Sequence, residues 1–279
     1  VTAVTIVIPV HNGEPYLHEA IDSVLAQTFS DIEVVVIDNR STDGTVELVR
    51  SYDDERLTLF ENEENIGAEA NWNRALSMAR APYFKLVCAD DLLYPTCIER
   101  QVEVLEHPAN AGAVMTAALR DIVSPDGDVL LRARGLAGME GLVPAVNAIR
   151  RAVRAGGNPF GEPGGVLLRS CVITQAGRWN GSLPYLIDAD YWYRVLEHGD
   201  VYALPDVLCA FRVHAASWSN ELVTEQAAQV GQFFTRLRRE RPHVVRAVDA
   251  FVGTRKAQLD SLGRRAVYGR LSRRAGGGQ

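Results

Sequence analysis

Short β-branched runs alternate with helical periodicity through the first hundred residues. Residues 5–10 (TIVIPV) form an apolar run that stops at His11-Asn12-Gly13, as expected for a buried parallel strand. Pro15 can open a helix, and Leu17, Ala20, Ile21, Val24 and Leu25 follow the i, i+3, i+4, i+7 rule. Residues 33–37 (EVVVI) predict a second buried strand with Asp38 at its carboxyl end, then a turn over 39–44 and a short helix from Thr45. A third strand is expected over 57–60, a helix through Trp72, Ala75, Leu76 and Ala79, and a fourth strand over 83–87 ending in Ala89-Asp90-Asp91. Pro95 starts a further helix with Ile98, Val102 and Leu105 on one face. This order predicts an α/β domain with a mostly parallel sheet and helices on both sides. Ligands of such sheets lie beyond the carboxyl ends of the strands, where Asn12, Asp38, Asp90 and Asp91 fall.

The second half changes character. Strands are expected over 114–118 and 129–131, separated by the turn Pro125-Asp126-Gly127, then a helix over 144–154. Residues 156–165 (GGNPFGEPGG) are read as a loop of the same domain, because residues 166–168 resume a strand at once. A helix should begin near Asp188 and a strand should run over 207–213, ending at His214. From Glu221 onward the pattern is helical, with Leu222, Val230, Phe233, Phe234 and Leu237 on the apolar face, and the GGGQ end (276–279) is expected to fray. Three parts follow: 1–120, 121–219 and a helical extension over 220–279.

Of 279 residues, 47% are apolar and 23% charged, which supports a full-sized core and excludes a disordered or disulfide-stapled chain. A net charge of -6 gives no sign of a nucleic-acid partner. Cys88, Cys97, Cys171 and Cys209 lie far apart without a CxxC pair. The opening residues read as a strand, not as a cleavable signal, so a cytoplasmic protein with reduced thiols is expected. Residues 236–274 hold twelve basic residues against three acids, which suits either an anionic membrane surface or a solvated helix pair that packs on the domain or forms a homodimer.

Each candidate group has a chemical and a plain reading. Asp90-Asp91 can hold Mg²⁺ or Mn²⁺ against a diphosphate, or can simply favour a helix N-terminus. Asp38 can be a turn residue, and Arg74 can face solvent. Asp188 can cap its helix while Asp190 acts as a general base. His214 can be structural or can sit beside a metal-bound diphosphate. Trp179, Tyr185, Tyr191 and Trp192 can wall an acceptor site or belong to the core.

In this order and spacing, VTIVIPVHN, EVVVIDNRSTDGT, NIGAEANWNRAL and KLVCADDLLYP resemble glycosyltransferase family 2; GNPFGEPGGVLLR, LIDADYWYRVLEHG and FRVHAASWS continue the likeness more loosely. The resemblance implies a GT-A fold with a Rossmann-like sheet and inverting transfer of one sugar from a nucleotide diphosphate sugar (UDP, dTDP or GDP) to an acceptor hydroxyl. The acceptor would be a cell-surface glycan, a lipid-linked sugar or a small molecule. Carried onto this chain, Pro9, Val10, His11 and Asn12 line the nucleotide pocket, and Asp38 and Arg74 hold the base end. Asp90 faces the ribose or sugar, Asp91 and His214 bind the divalent cation, and Asp190 is the base preferred by register over Asp188. Two departures stand out: Cys88 replaces an acid of the Asp-X-Asp motif, and Ala189 replaces the Glu of the Glu-Asp motif. The Gln-X-X-Arg-Trp motif of processive synthases is absent, which favours single transfer. A sugar-phosphate nucleotidyltransferase or a dehydrogenase would need a Gly-rich loop where this chain has HNGEPYL. A non-catalytic nucleotide-sugar binder of the same fold remains an alternative.

Overall fold

The computed structural model describes residues 2–214, 222 and 224–275, with side chains described to Ser261. Strands β1 (Val4–Val10), β2 (Ile32–Asp38), β3 (Leu57–Glu61) and β4 (Tyr83–Leu86) alternate with helices α1 (Leu17–Leu25), α2 (Thr45–Arg50) and α3 (Ala68–Ser77). The chain continues through β5 (Leu92–Leu93), α4 (Cys97–Glu106), β6 (Ala113–Val123), β7 (Val129–Arg134), β8 (Gly141–Val143) and α5 (Ala145–Ala155). Then follow β9 (Val166–Arg169), α6 (Ile173–Ala176), α7 (Ile187–Val195), β10 (Asp200–Arg212), α8 (Gln226–Glu240) and α9 (Ala247–Ala275).

One sheet holds all the strands in the order β3-β2-β1-β4-β9-β6-β10-β5, with β7 paired to β6 and β8 to β10. The expected parallel arrangement holds for β3-β2-β1-β4. Beyond β4 the sheet is mixed: β9 runs antiparallel to β4 and β6, while β6 and β10 pair in parallel. The strand expected at 207–213 is the end of the much longer β10, whose register shifts between Leu204 and Val207 masked its alternation.

Successive residues of β1 serve opposite faces. Ile6 and Ile8 pack with Leu17, Ile21 and Ile98 of α1 and α4, while Val7 packs with Ala75, Ile149 and Phe233 of α3, α5 and α8. Trp179, Tyr191 and Trp192 belong to the second layer, with Trp179 stacked on Tyr191 at 4.0 Å and all three buried. Of the aromatic group expected near the acceptor, only Tyr185 reaches the cleft.

The continuous C-terminal helix pattern divides into α8 and α9 around Pro242, which cannot donate to a helical ladder. Residues 215–221, 223 and 276–279 lie outside the described residues, so the tail of the FRVHAASWS motif, the start expected at Glu221, the 219/220 boundary and the GGGQ end are not placed. Among the described residues, no helix is long and apolar enough to cross a membrane.

Candidate active site

The carboxyl ends of β1 and β4, the segment after β10 and the start of α7 open into one cleft of about 1220 Å³. Pro9, Val10, His11 and Asn12 line it from β1, Asp90 from the turn after β4, Asp188 from α7 and His214 from the end of β10. Seven of the residues expected at a site therefore share one cavity.

On the β1–β2 side the backbone is pinned by side chains. Asn12 adopts a left-handed φ of 54°, its N–H donates to Ser41 Oγ at 2.8 Å, and its Oδ1 accepts the Thr42 N–H at 2.8 Å. His11 Nδ1 donates to the Asn39 carbonyl at 3.1 Å, which leaves Nε2 to accept from Asn65 Nδ2 at 3.2 Å. Asp38 is buried at the end of β2 and is not among the residues lining the cleft; its Oδ2 accepts the Ser41 N–H at 3.1 Å, while among the described residues Oδ1 has no hydrogen-bond partner. A buried carboxylate oxygen without a donor is costly unless a ligand supplies one. Arg74 does not line the cleft. Its guanidinium donates to Asn62 Oδ1 and lies over the Phe60 ring at 4.7 Å, bordering a separate depression between α3 and α6.

The two acids of the Asp90-Asp91 pair point to different places. Asp91 is 2% exposed and its Oδ1 accepts the Arg212 N–H at 3.1 Å, so it points under the loop and does not line the cleft. Burial, followed by the neighbouring Asp90, pushes its carboxyl well above the ordinary carboxylate range. Asp90 is the acid presented to the cleft, where His214 Nε2 donates to its Oδ2 at 3.0 Å. Ligand atoms of Cys88, Asp90 and Asp91 lie within 4.8 Å of one another, with His214 against Asp90. One half-buried carboxylate, one imidazole and a second acid beneath them fit a hard divalent cation whose remaining ligands would come from phosphate and water.

The two acids expected on α7 part company. Asp190 is 8% exposed and turns away from the cleft into ion pairs with Arg194 at 2.9 Å and with Arg236 of α8. Both guanidinium groups occupy the lone pairs a base would need. Asp188, two residues earlier and so on another face of α7, does line the cleft. Asn158 Nδ2 donates to its Oδ2 at 2.9 Å and the Ala189 N–H to its Oδ1 at 2.7 Å. Burial, then the charge of Glu162, raises its carboxyl to about 7.

Sequence reasoning passed over Glu162, Arg120, Asn158 and Arg212. Glu162 is the one charged residue of the 156–165 loop, and that singularity was a usable signal. It lines the cleft and pairs with Arg120, which extends from β6. Arg212 is wholly buried, and nothing in its local sequence announces that it holds the Asp90-Asp91 turn.

Comparison with known proteins agrees with this geometry. The model of "Glycosyl transferase family 2" matches residues 5–151. An uncharacterized glycosyltransferase of Rickettsia typhi is 29% identical over 231 residues, covering 80% of this chain and 67% of that protein. The match to a Rickettsia felis relative covers 78% of this chain but 35% of that protein. Among solved structures, the mannosyltransferase PcManGT of Pyrobaculum calidifontis superposes with a TM-score of 0.65 at 21% identity, covering 99% of this chain and 76% of that one. S. aureus TarS 1-349 superposes with a TM-score of 0.64 at 16% identity, covering 83% of this chain and 66% of that one. The chain thus spans about two thirds of the length of several proteins it matches. On the family match across more than half its length, and with the sheet and cleft described above, the chain belongs to glycosyl transferase family 2 and carries the GT-A fold.

Proposed function

We propose that the protein moves one sugar from a nucleotide diphosphate sugar to an acceptor hydroxyl with inversion, and that Asp188 is the general base. The observation that carries this reading is the cleft position of Asp188, with its carboxyl raised to about 7 and oriented by Asn158. A base poised near the working pH combines a useful unprotonated fraction with a strong pull on the proton, a device that contributes about 10²–10⁴-fold.

In the proposed step the acceptor oxygen attacks the anomeric carbon while the bond from that carbon to the diphosphate oxygen breaks. The hydroxyl proton passes to Asp188, and the bonding electrons leave with the nucleoside diphosphate. Asp90 and His214 would hold a divalent cation, which neutralises charge on the departing diphosphate when bound. Asp38 Oδ1, buried and without a donor, is suited to an N–H of the base, and His11 and Asn12 to the walls of the nucleotide pocket. The mannosyltransferase relative was solved with GDP-Man and Mn²⁺ and the S. aureus relative with UDP-GlcNAc, so both purine and pyrimidine nucleotides are candidates.

Calorimetry with UDP, dTDP and GDP, each with and without Mn²⁺, tests the donor half. One nucleotide should bind in a metal-dependent manner to the wild type and lose that dependence in Asp90→Asn. Binding of none of them, or metal-dependent binding that survives in the variant, would overturn the donor site.

A further inference from the structure

The C-terminal helix lies outside the region matched by the family, yet it forms part of the cleft. Its seat on α5 is close. A Cβ at Gly253 would overlap the Val153 carbonyl oxygen, and one at Gly156 would lie 2.8 Å from the Ala257 nitrogen and 2.9 Å from the Gly253 oxygen. Gly156 also has φ 77°, the left-handed turn that ends α5. These backbone contacts fix α9 so that Lys256 and Asp260, one helical turn apart, border the cleft.

Two acids of the cleft have partners within it: Glu162 pairs with Arg120, and Asp90 accepts from His214. The outer wall differs. Arg134, at the end of β7, and Lys256 both line the cavity, and among the described residues neither has a carboxylate within ion-pair distance. Lys256 lies against Gly156, and Gly135, the neighbour of Arg134, lies against Pro159, so the two cations border the two ends of the segment that carries Asn158, which donates to Asp188. The two cations therefore share a cavity with Asp188 and border the segment that holds it through Asn158.

We infer that α9 completes the acceptor subsite, and that Lys256 with Arg134 recognises an acceptor bearing an anionic group, a phosphate or a carboxylate, near its reacting hydroxyl. This rests on the transferase reading, because that reading is what makes this wall the acceptor side. Asp260, one turn along the same wall, offers carboxylate oxygens to neighbouring sugar hydroxyls. Two cations lining one cleft select by charge as well as by shape.

The test uses the full chain saturated with its preferred nucleoside diphosphate and Mn²⁺, so that added phosphate is not drawn to the metal. Glycerol 1-phosphate, methyl β-D-glucuronide and methyl β-D-glucoside are then titrated and binding is followed by NMR. At least one anionic probe should bind about tenfold more tightly than the neutral glucoside. That preference should persist in Lys256→Arg and disappear in Lys256→Glu and in Arg134→Ala. A phosphate-only response names a phosphorylated acceptor, and a glucuronide-only response an acidic sugar; either supports the proposal. Equal binding of charged and neutral probes, no binding of any probe, or an anion preference that survives Lys256→Glu would overturn it. Nucleotide binding, measured first on the same samples, separates the two ideas, since its absence in the wild type defeats the donor reading instead.

Discussion

Arg212 Nε donates to the Asp90 carbonyl oxygen at 3.0 Å, although 122 residues separate the two. The same residue gives its backbone N–H to Asp91 Oδ1 at 3.1 Å. Its other guanidinium nitrogens reach the Pro125 carbonyl at 2.6 Å and Glu19 Oε2 at 2.7 Å, and its plane lies over Tyr16 at 4.8 Å. A planar fork with five donors can hold four elements at once, which an ammonium group cannot. The turn that presents Asp90 is therefore set by the end of β10.

The first prediction concerns this positioning. Arg212→Lys keeps the charge but cannot reproduce the fork, so Mn²⁺-dependent nucleotide affinity should fall about tenfold while metal-free nucleotide binding changes little. Arg212→Ala removes one partner of a buried network and should cost about 3–5 kcal/mol of stability. Calorimetry of Arg212→Lys decides the matter. Unchanged metal dependence would mean that the Asp90 turn holds its shape without the fork.

A second prediction follows from Asp188. Its folded pKa of about 7 lies above the ordinary value of 3.8, with burial the larger cause and Glu162 the next. A base works unprotonated, so kcat/KM should fall tenfold per pH unit below about 7 and level off above it. Linkage has the opposite sense for stability. The contribution of this group is fully present below pH 3.8 and is lost as pH rises through 7, because the fold prefers the neutral carboxyl. Asp188→Asn should abolish turnover, retain nucleotide binding and flatten that part of the melting profile. A variant that turns over with the wild-type pH profile would remove Asp188 from the base role.

Asp190 leads to a third prediction with a different readout. Its carboxylate holds Arg194 in its own helix and Arg236 in α8, so it ties α7 to the C-terminal segment. Asp190→Asn should lower unfolding free energy by about 3 kcal/mol, since two partly buried guanidinium groups lose their counter-charge. Transfer by the folded fraction should persist, and chemical denaturation paired with single-turnover rates at low temperature separates the effects. Lost chemistry in a variant of normal stability would return the base role to Asp190.

These contrasts mark where sequence was informative. Residues 5–10 and 33–37 are continuous apolar runs, and a buried parallel strand is nearly the only element they can form, so Asn12, Asp38 and Asp90-Asp91 could be placed at strand ends directly. The choice between Asp188 and Asp190 was different. It depends on which side of a short helix faces the cleft, and Ala189 removes the acid that would have marked the register. Arg236, 46 residues away on α8, pairs with Asp190, and nothing in the local sequence announces it. The acid pair is opaque for a related reason: adjacent carboxylates look alike in sequence, and the N–H of Arg212 distinguishes the inward one, Asp91. Long-range partners, more than local propensity, divide the acids that line the cleft from those that turn away from it.

The last prediction uses two glycines in the paired C-terminal helices. At Gly231 in α8 an added Cβ would meet only Thr254 Cγ2, at an ordinary 3.5 Å. Gly231→Ala should therefore stabilise the protein by about 0.5–1 kcal/mol through helix propensity alone. At Gly253 in α9 the same methyl would overlap the Val153 carbonyl and stand 2.8 Å from Phe234 Cε2. Backbone cannot yield as a flexible side chain can, so Gly253→Ala should destabilise by about 1–3 kcal/mol in spite of the propensity gain. Displacement of α9 would also carry Lys256 from the cleft wall, leaving nucleotide affinity unchanged while acceptor-dependent turnover falls. Melting of the two variants side by side checks the sign at each position, and equal effects would mean that α9 is not seated on α5 through Gly253.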